Sequence, residues 1–261
     1  MATSLAEFIA ALEQTWTGLV TAVEDLTPGQ WDTATELPGW SAKDIVSHIV
    51  GVELTLLGEP LPEHPLPDGL AHVRNDVGRW VEVPVDLRRP VPGEAVLAEL
   101  RDVTGRRLQA LRALDEAALE DTVPGIMGAP MKQKHLLGLR VFDSWIHEQD
   151  VRRALGRPGG LDNAAAAVSR RRLLLAMAAL PVGAGRTLVY ATTSPDTVAT
   201  LAFGQGYRDV DTPDADARVE SDFETFVRLG AGRVGRADAG VTVTGDEALA
   251  EEFLRAMVIT P

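Results

Sequence analysis

The chain contains no cysteine. Disulfides, thiolate zinc clusters and a cysteine nucleophile are therefore excluded, and any thiol chemistry must take its sulfur from a separate molecule. Lysine is nearly missing too, standing only at Lys43, Lys132 and Lys134, so the basic residues are almost all arginine. Positive charge is in deficit, with a formal net charge of −13 at pH 7. That balance argues against nucleic acid, where a basic surface neutralises phosphates. It also argues against adsorption to an anionic membrane face. No apolar run approaches the roughly 20 residues that span a bilayer. The opening residues, Met1-Ala2-Thr3-Ser4-Leu5-Ala6-Glu7-Phe8, lack the basic start of a secretory signal. A cytoplasmic location is the resulting expectation.

What is present is ordinary for a folded protein. Hydrophobic residues make up 45% and charged residues 24% of 261 positions, enough for one large domain or two modest ones with real cores. Leu5, Phe8, Ile9, Leu12, Trp16, Leu19, Val20, Val23 and Leu26 recur at three- and four-residue steps and predict an amphipathic helix stopped by Pro28. Ser41 is an N-cap candidate with Asp44 in a capping-box-like place, which predicts a second helix to about Leu57. Residues 59–69 hold four prolines and read as loop. Leu70, Val73, Val77, Trp80 and Val81 suggest a third helix, followed by a loop holding Pro84, Pro90 and Pro92. A fourth helix is expected from about Val96 to Leu114 and a long fifth from about Lys132 to Leu155, with Gly156 as its C′ residue. Four or five antiparallel helices with modest loops make a bundle.

Gly156-Arg157-Pro158-Gly159-Gly160 is the best boundary, giving domains at 1–157 and 158–261. Beyond it, residues 186–192, 197–203 and 240–244 read as strands. Residues 164–179, 222–229 and 246–257 read as helices. The fold class expected is α+β, a helical bundle followed by a small α/β domain.

Two distant segments carry chemistry. On the fifth helix Arg140, Asp143, His147 and Asp150 follow steps of three, four and three, so they form one stripe. On the second helix His48 lies among Ile45, Val46, Ile49 and Val50, with Asp44 one turn earlier placed to orient it. Two histidines and one carboxylate form a three-ligand set for a divalent metal with an open position. The spacing leaves two readings open. The stripe is either solvated, with an Arg140–Asp143 pair worth a few tenths of a kcal/mol, or it faces the bundle interior as a metal site. His48 is likewise a ligand or a core histidine. His64, His72 and His135 are expected at the surface.

The Leu37-Pro38-Gly39-Trp40-Ser41 turn leading into Asp44 and His48 resembles the mycothiol-dependent maleylpyruvate isomerase family, part of the wider DinB-like metalloenzyme superfamily. The stretch from Asp143-Ser144-Trp145-Ile146-His147 to Ala154-Leu155-Gly156 resembles the family's second signature. Glu220-Ser221-Asp222-Phe223 onward, with Gly232-Arg233 and Gly245-Asp246, is similar to its sterol-carrier-like C-terminal domain. The resemblance implies a DinB-like four-helix bundle with His48, Asp143 and His147 as ligands of zinc or another divalent metal. Aspartate at 143 departs from the glutamate usual in the family and shortens the reach by one C–C bond.

The resemblance further implies mycothiol as thiol cosubstrate and an isomerase or S-transferase acting on an electrophilic small molecule. A metal-coordinated thiol is deprotonated, whereas a free one with pKa near 8.5 is mostly protonated at neutral pH. Arg140, Arg152 and Arg233 are the arginines expected to hold substrate or cofactor carboxylates. Two other functions fit the residues. One is a non-catalytic small-molecule binder. The other is a metal-assisted hydrolase with Glu148 or Asp150 as general base. A monomer or homodimer is expected in each case.

Overall fold

A computed structural model describes residues 3–260, which divide into two compact units, one ending at Gly160 and one beginning at Leu161. The first unit is helical. Helix α1, Leu5–Val23, starts at a Ser4/Glu7 capping box and buries Leu5, Phe8, Leu12, Trp16, Leu19 and Val23 along one face. Helix α2, Ala42–Leu56, starts at a second capping box built by Ser41 and Asp44. Helices α3, Asp76–Arg88, α4, Gly93–Arg112, and α5, Gln133–Ala154, follow. Helix α1 packs on α4 and α5, and α2 packs on α4 and α5. These four form the bundle, with α3 laid against the outside of α2. A two-stranded antiparallel pair, β1, Thr122–Pro124, and β2, Pro130–Lys132, leads into α5.

Helix α5 is the centre of the unit. Every residue from 144 to 151 is buried, polar ones included. The polar stripe therefore lies inside the bundle.

Helix α3 departs from the sequence expectation. It begins later than Leu70, because the Asn75 side chain accepts the Gly78 N–H at 2.8 Å and caps it there. It then runs through Pro84, expected in a loop. A proline inside a helix removes one backbone hydrogen bond. Here the buried ring fills the notch at Gly51 on α2, where an added Cβ would stand 2.2 Å from the Pro84 Cβ.

The second unit opens with α6, Ala164–Ala178. A five-stranded sheet follows, built from β3, Thr187–Thr193, β4, Thr197–Ala202, β5, Gly206–Arg208, β6, Ala217–Asp222, and β7, Thr242–Gly245. The strand order is β5-β4-β3-β6-β7, antiparallel except for the parallel β3–β6 pair. Helices α7, Phe223–Gly230, and α8, Glu247–Ala256, are capped by Asp222 and Asp246. Their Phe223, Phe226 and Phe253 are buried with Leu188, Tyr190, Leu201 and Val219 of the sheet. Strands β5 and β6 were not anticipated. Strand β6 reads Ala-Arg-Val-Glu-Ser-Asp and buries only Ala217 and Val219, so its alternation is short and masked by charge. No described helix is long and apolar enough to cross a membrane.

Two outcomes check this packing. Gly51→Ala forces α3 away from α2 and is expected to cost about 1–3 kcal/mol in urea unfolding. Burial, only partly offset by a hydrogen bond with Ser221, pushes the Tyr190 phenol from 10.0 up to about 12. The folded state thus holds that proton more tightly than the unfolded chain. The stability this contributes is intact below pH 10 and is lost as pH rises towards 12, and Tyr190→Phe is expected to flatten that decline.

Candidate metal centre

The turn before α2 sets one wall. Thr35 N–H donates to the Trp40 carbonyl at 3.1 Å and Trp40 N–H donates to the Leu37 carbonyl at 3.1 Å. Gly39 has φ +81°, and an added Cβ there would stand 2.5 Å from His72 Nδ1, so glycine is required on both counts. The Trp40 indole lies over both imidazoles, its centroid 5.1 Å from His48 and 5.9 Å from His147.

Helices α2 and α5 bring His48, Asp143 and His147 together, one ligand atom from each lying within 4.8 Å of the others. His48 Nε2 is 3.2 Å from Asp143 Oδ2, and His147 Nε2 is 3.8 Å from Asp143 Oδ1. The imidazole centroids are 4.8 Å apart with the rings at 69°. Ligands at the corners of a tetrahedron with bonds of about 2.1 Å stand roughly 3.4 Å apart. The widest gap among the three donors, within 4.8 Å, need only close by roughly 1.4 Å to meet that spacing. Both histidines are buried, while the Asp143 side chain is 24% exposed and gives the cluster its opening.

Burial pulls the His48 pKa down, against the raising pull of Asp143, and keeps the ring neutral as a ligand must be. Burial alone would raise Asp143, but Arg140 and His48 outweigh it and hold the carboxyl well below its usual range. The donor set is thus two imidazoles and one carboxylate, which fits a divalent ion such as zinc. His48 Nδ1 is buried without a hydrogen-bond partner. His147 Nδ1 lies 3.2 Å from Asp150 Oδ2.

A second layer of charge surrounds the cluster. Arg140 is 2% exposed, donating from Nη1 to Asp143 Oδ2 at 2.8 Å and from Nε to Glu53 Oε1 at 2.7 Å. Its Nη2 is buried with no partner. Glu53 takes a further bond from Arg107 Nε at 3.2 Å. The Arg140–Asp143 contact is therefore part of an interior network and not the surface pair considered from spacing. Beyond Trp40, buried Glu82 accepts from the indole Nε1 at 2.9 Å and from Arg89 Nη2 at 2.7 Å, and its Oε2 lies 3.0 Å from His72 Nε2.

Several residues have duties other than those expected. Asp44 Oδ2 accepts from Ser41 N–H and Oγ–H, both at 2.9 Å, so it caps α2 and does not orient His48. Arg152 donates to Glu148 Oε1 at 2.7 Å and to the carbonyls of Arg157 and Gly18, both at 3.3 Å, which commits its guanidinium to α1 and the segment after α5. Glu148 Oε2 accepts from Thr15 on α1 at 2.9 Å. Asp150 is fully buried and engaged by His147 and Arg153. Both acids are thus held by partners inside the bundle. Arg233 stands in the turn after α7 and donates to the Ala231 carbonyl at 2.7 Å. His135 is exposed as expected, but His64 and His72 are half-buried against Asp86 and Glu82.

Glu53, Glu82 and Asp150 were missed as supports of the site. The available signal for Glu53 was an acid following the apolar run Ile49-Val50-Gly51-Val52 on the helix that carries His48.

Residues 12–152, more than half of the chain, match the family model described as the mycothiol maleylpyruvate isomerase N-terminal domain. No curated protein is significantly similar in sequence. Among solved structures, a mycothiol-dependent maleylpyruvate isomerase is 18% identical, covers 92% of each chain and superposes with a TM-score of 0.61. A histidine-to-alanine variant of a mycothiol-dependent maleylpyruvate isomerase matches at 17% identity over 92% of each chain, also with a TM-score of 0.61. These likenesses show a common fold.

Removing Glu53 tests the charge layer. Glu53→Gln leaves Arg107 without its counter-charge and Arg140 with Asp143 alone, and is expected to cost about 3–5 kcal/mol in chemical unfolding.

Proposed function

The chain belongs to the family of the mycothiol maleylpyruvate isomerase N-terminal domain, and on that footing we propose a metal- and thiol-dependent enzyme. It takes a small-molecule thiol of the mycothiol class and either isomerises an electrophilic small molecule or transfers the sulfur to it. The convergence of His48, Asp143 and His147 carries this reading. These three residues would hold the metal, with zinc the best match to two imidazoles and a carboxylate. A divalent ion held there would supply the positive charge that favours the thiolate form of a bound thiol at neutral pH.

The chain's residues do the rest. Trp40 covers one side of the two imidazoles and keeps water from it, while half-buried Asp143 marks the side through which ligands enter. Arg140 neutralises Asp143 through Nη1 and keeps one buried donor, Nη2, for a carboxylate or enolate oxygen of the substrate. That donor steadies the negative charge that builds on a conjugated oxygen as sulfur bonds to the neighbouring double bond. For isomerisation, rotation about the resulting single bond and loss of the same sulfur regenerate the double bond and the thiolate. For transfer, the sulfur stays and a leaving group departs with its electron pair. The absence of cysteine fits an external sulfur. Dependence on a reduced thiol supports a cytoplasmic location, where thiols are kept reduced.

The purified protein is expected to carry about one divalent ion per chain, as one three-ligand site allows. His48→Ala is expected to lose it. Thiol consumption with activated double-bond or halide electrophiles is the activity assay. Turnover that requires added low-molecular-weight thiol, and stops in His48→Ala, is the expected outcome. Equal turnover without thiol contradicts the proposal.

A further inference from the structure

The two imidazoles of the cluster are not equivalent, and the difference lies behind them. His48 Nδ1 is buried with no partner. His147 Nδ1 faces Asp150 Oδ2 at 3.2 Å, and Asp150 is fully buried. A carboxylate accepts hydrogen bonds and donates none. The proton of His147 in this contact therefore sits on Nδ1, and the Nε2 lone pair is left facing Asp143. By the same rule the proton of His48 sits on Nε2, where it meets Asp143 Oδ2 at 3.2 Å. Without an ion, one ring is already in the ligating tautomer and the other is not.

Asp150 does not stand alone. Arg153 Nη2 donates to its Oδ1 at 2.6 Å, and Arg153 Nε donates to Glu36 Oε2 at 2.8 Å. Glu36 precedes the Leu37-Pro38-Gly39-Trp40 turn whose indole packs on both imidazoles. A line of charge thus runs from His147 through Asp150, Arg153 and Glu36 to the segment that carries Trp40. His48 is reached from that segment through the Ser41 cap of α2.

We infer that Asp150 is the positioning residue of the site. It locks the His147 ring and its tautomer so that Nε2 is presented as the anchoring ligand, and its Arg153–Glu36 extension ties that ring to the Trp40 turn. The inference rests on the reading of the cluster as a metal site. Carboxylates behind ligating histidines raise ligand basicity and fix the ring, and their loss weakens metal binding by about 10–100-fold. In that arrangement His147 would be ready to ligate as it stands, whereas His48 would have to carry its proton on Nδ1 to do so.

Asp150→Asn changes no heavy-atom count but leaves a single acceptor for two donors. The always-charged Arg153 takes that oxygen, and the amide NH2 turns to His147 Nδ1 as a donor. The His147 proton is thereby moved to Nε2, the wrong nitrogen for ligation. Long-range 15N–1H spectra of the histidine rings in the metal-free protein read this directly. The wild type is expected to show His147 as the Nδ1–H tautomer, and Asp150→Asn as Nε2–H. Glu36→Gln, which leaves the Asp150 contact in place, is expected to keep Nδ1–H.

Zinc affinity, measured by competition with a chelator, is expected to fall about 10–100-fold in Asp150→Asn. Circular dichroism checks that the variant is folded. If it does not fold, the wild-type spectrum decides alone, since an Nε2–H form of His147 there overturns the inference. Unchanged tautomer and unchanged zinc affinity in a folded Asp150→Asn also overturn it, while leaving the metal site intact. A wild type that binds no zinc yet shows the tautomer switch supports the positioning role and sinks the metal reading instead.

Discussion

A guanidinium buried between two carboxylates holds the helical unit's interior in register. Arg140 on α5 is gripped by Glu53 from α2 and by Asp143 from its own helix, and Arg107 on α4 shares Glu53. Taking such groups out of water costs several kcal/mol per ion, and only well-aligned partners recover it. A hydrophobic core of the same volume would be at least as stable, so stability alone does not account for the arrangement. What the network does is fix the rotation and height of α2 against α5. Those two settings bring His48 to His147 at a centroid separation of 4.8 Å.

The same network sets the electrostatics. Asp143 is kept ionised by Arg140 despite burial, and His48 is kept neutral by burial despite Asp143. Ligands of a divalent ion need those two states. Around them, Glu82 holds the Trp40 indole in place over the rings, with Arg89 and His72 on its other side. The Leu37–Trp40 turn is therefore anchored by α3 as well as by the Ser41 cap. The cluster's opening is at Asp143, the one member of the trio with appreciable exposure.

Much of this was legible in the sequence, and the omissions have physical causes. The three- and four-residue recurrence of apolar side chains located the bundle helices, since each buries one face. Steps of three and four along α5 placed Arg140, Asp143, His147 and Asp150 on one stripe, but spacing is blind to whether a stripe faces water. Only the packing of α1 and α2 on α5 decides that. Glu53 and Glu82 were missed because a buried acid is recognised by partners distant in sequence, here Arg140 and Trp40. Pro84 was misread because its tolerance depends on the notch at Gly51, on another helix. Asp44 was assigned to His48 by one-turn spacing, whereas the nearer Ser41 N–H and Oγ–H claim its carboxylate.

The family supplies the fold, and this chain supplies an aspartate at 143 backed by a buried arginine. Whether two imidazoles and this carboxylate gather around one ion is best read by X-ray absorption at the metal edge of the zinc-loaded protein. Nitrogen and oxygen scatterers at about 2.0–2.2 Å are expected, with two imidazole signatures, and added thiol is expected to bring in one sulfur at about 2.3 Å. An all-oxygen shell without imidazole, unchanged by thiol, would contradict the role given to His48, Asp143 and His147.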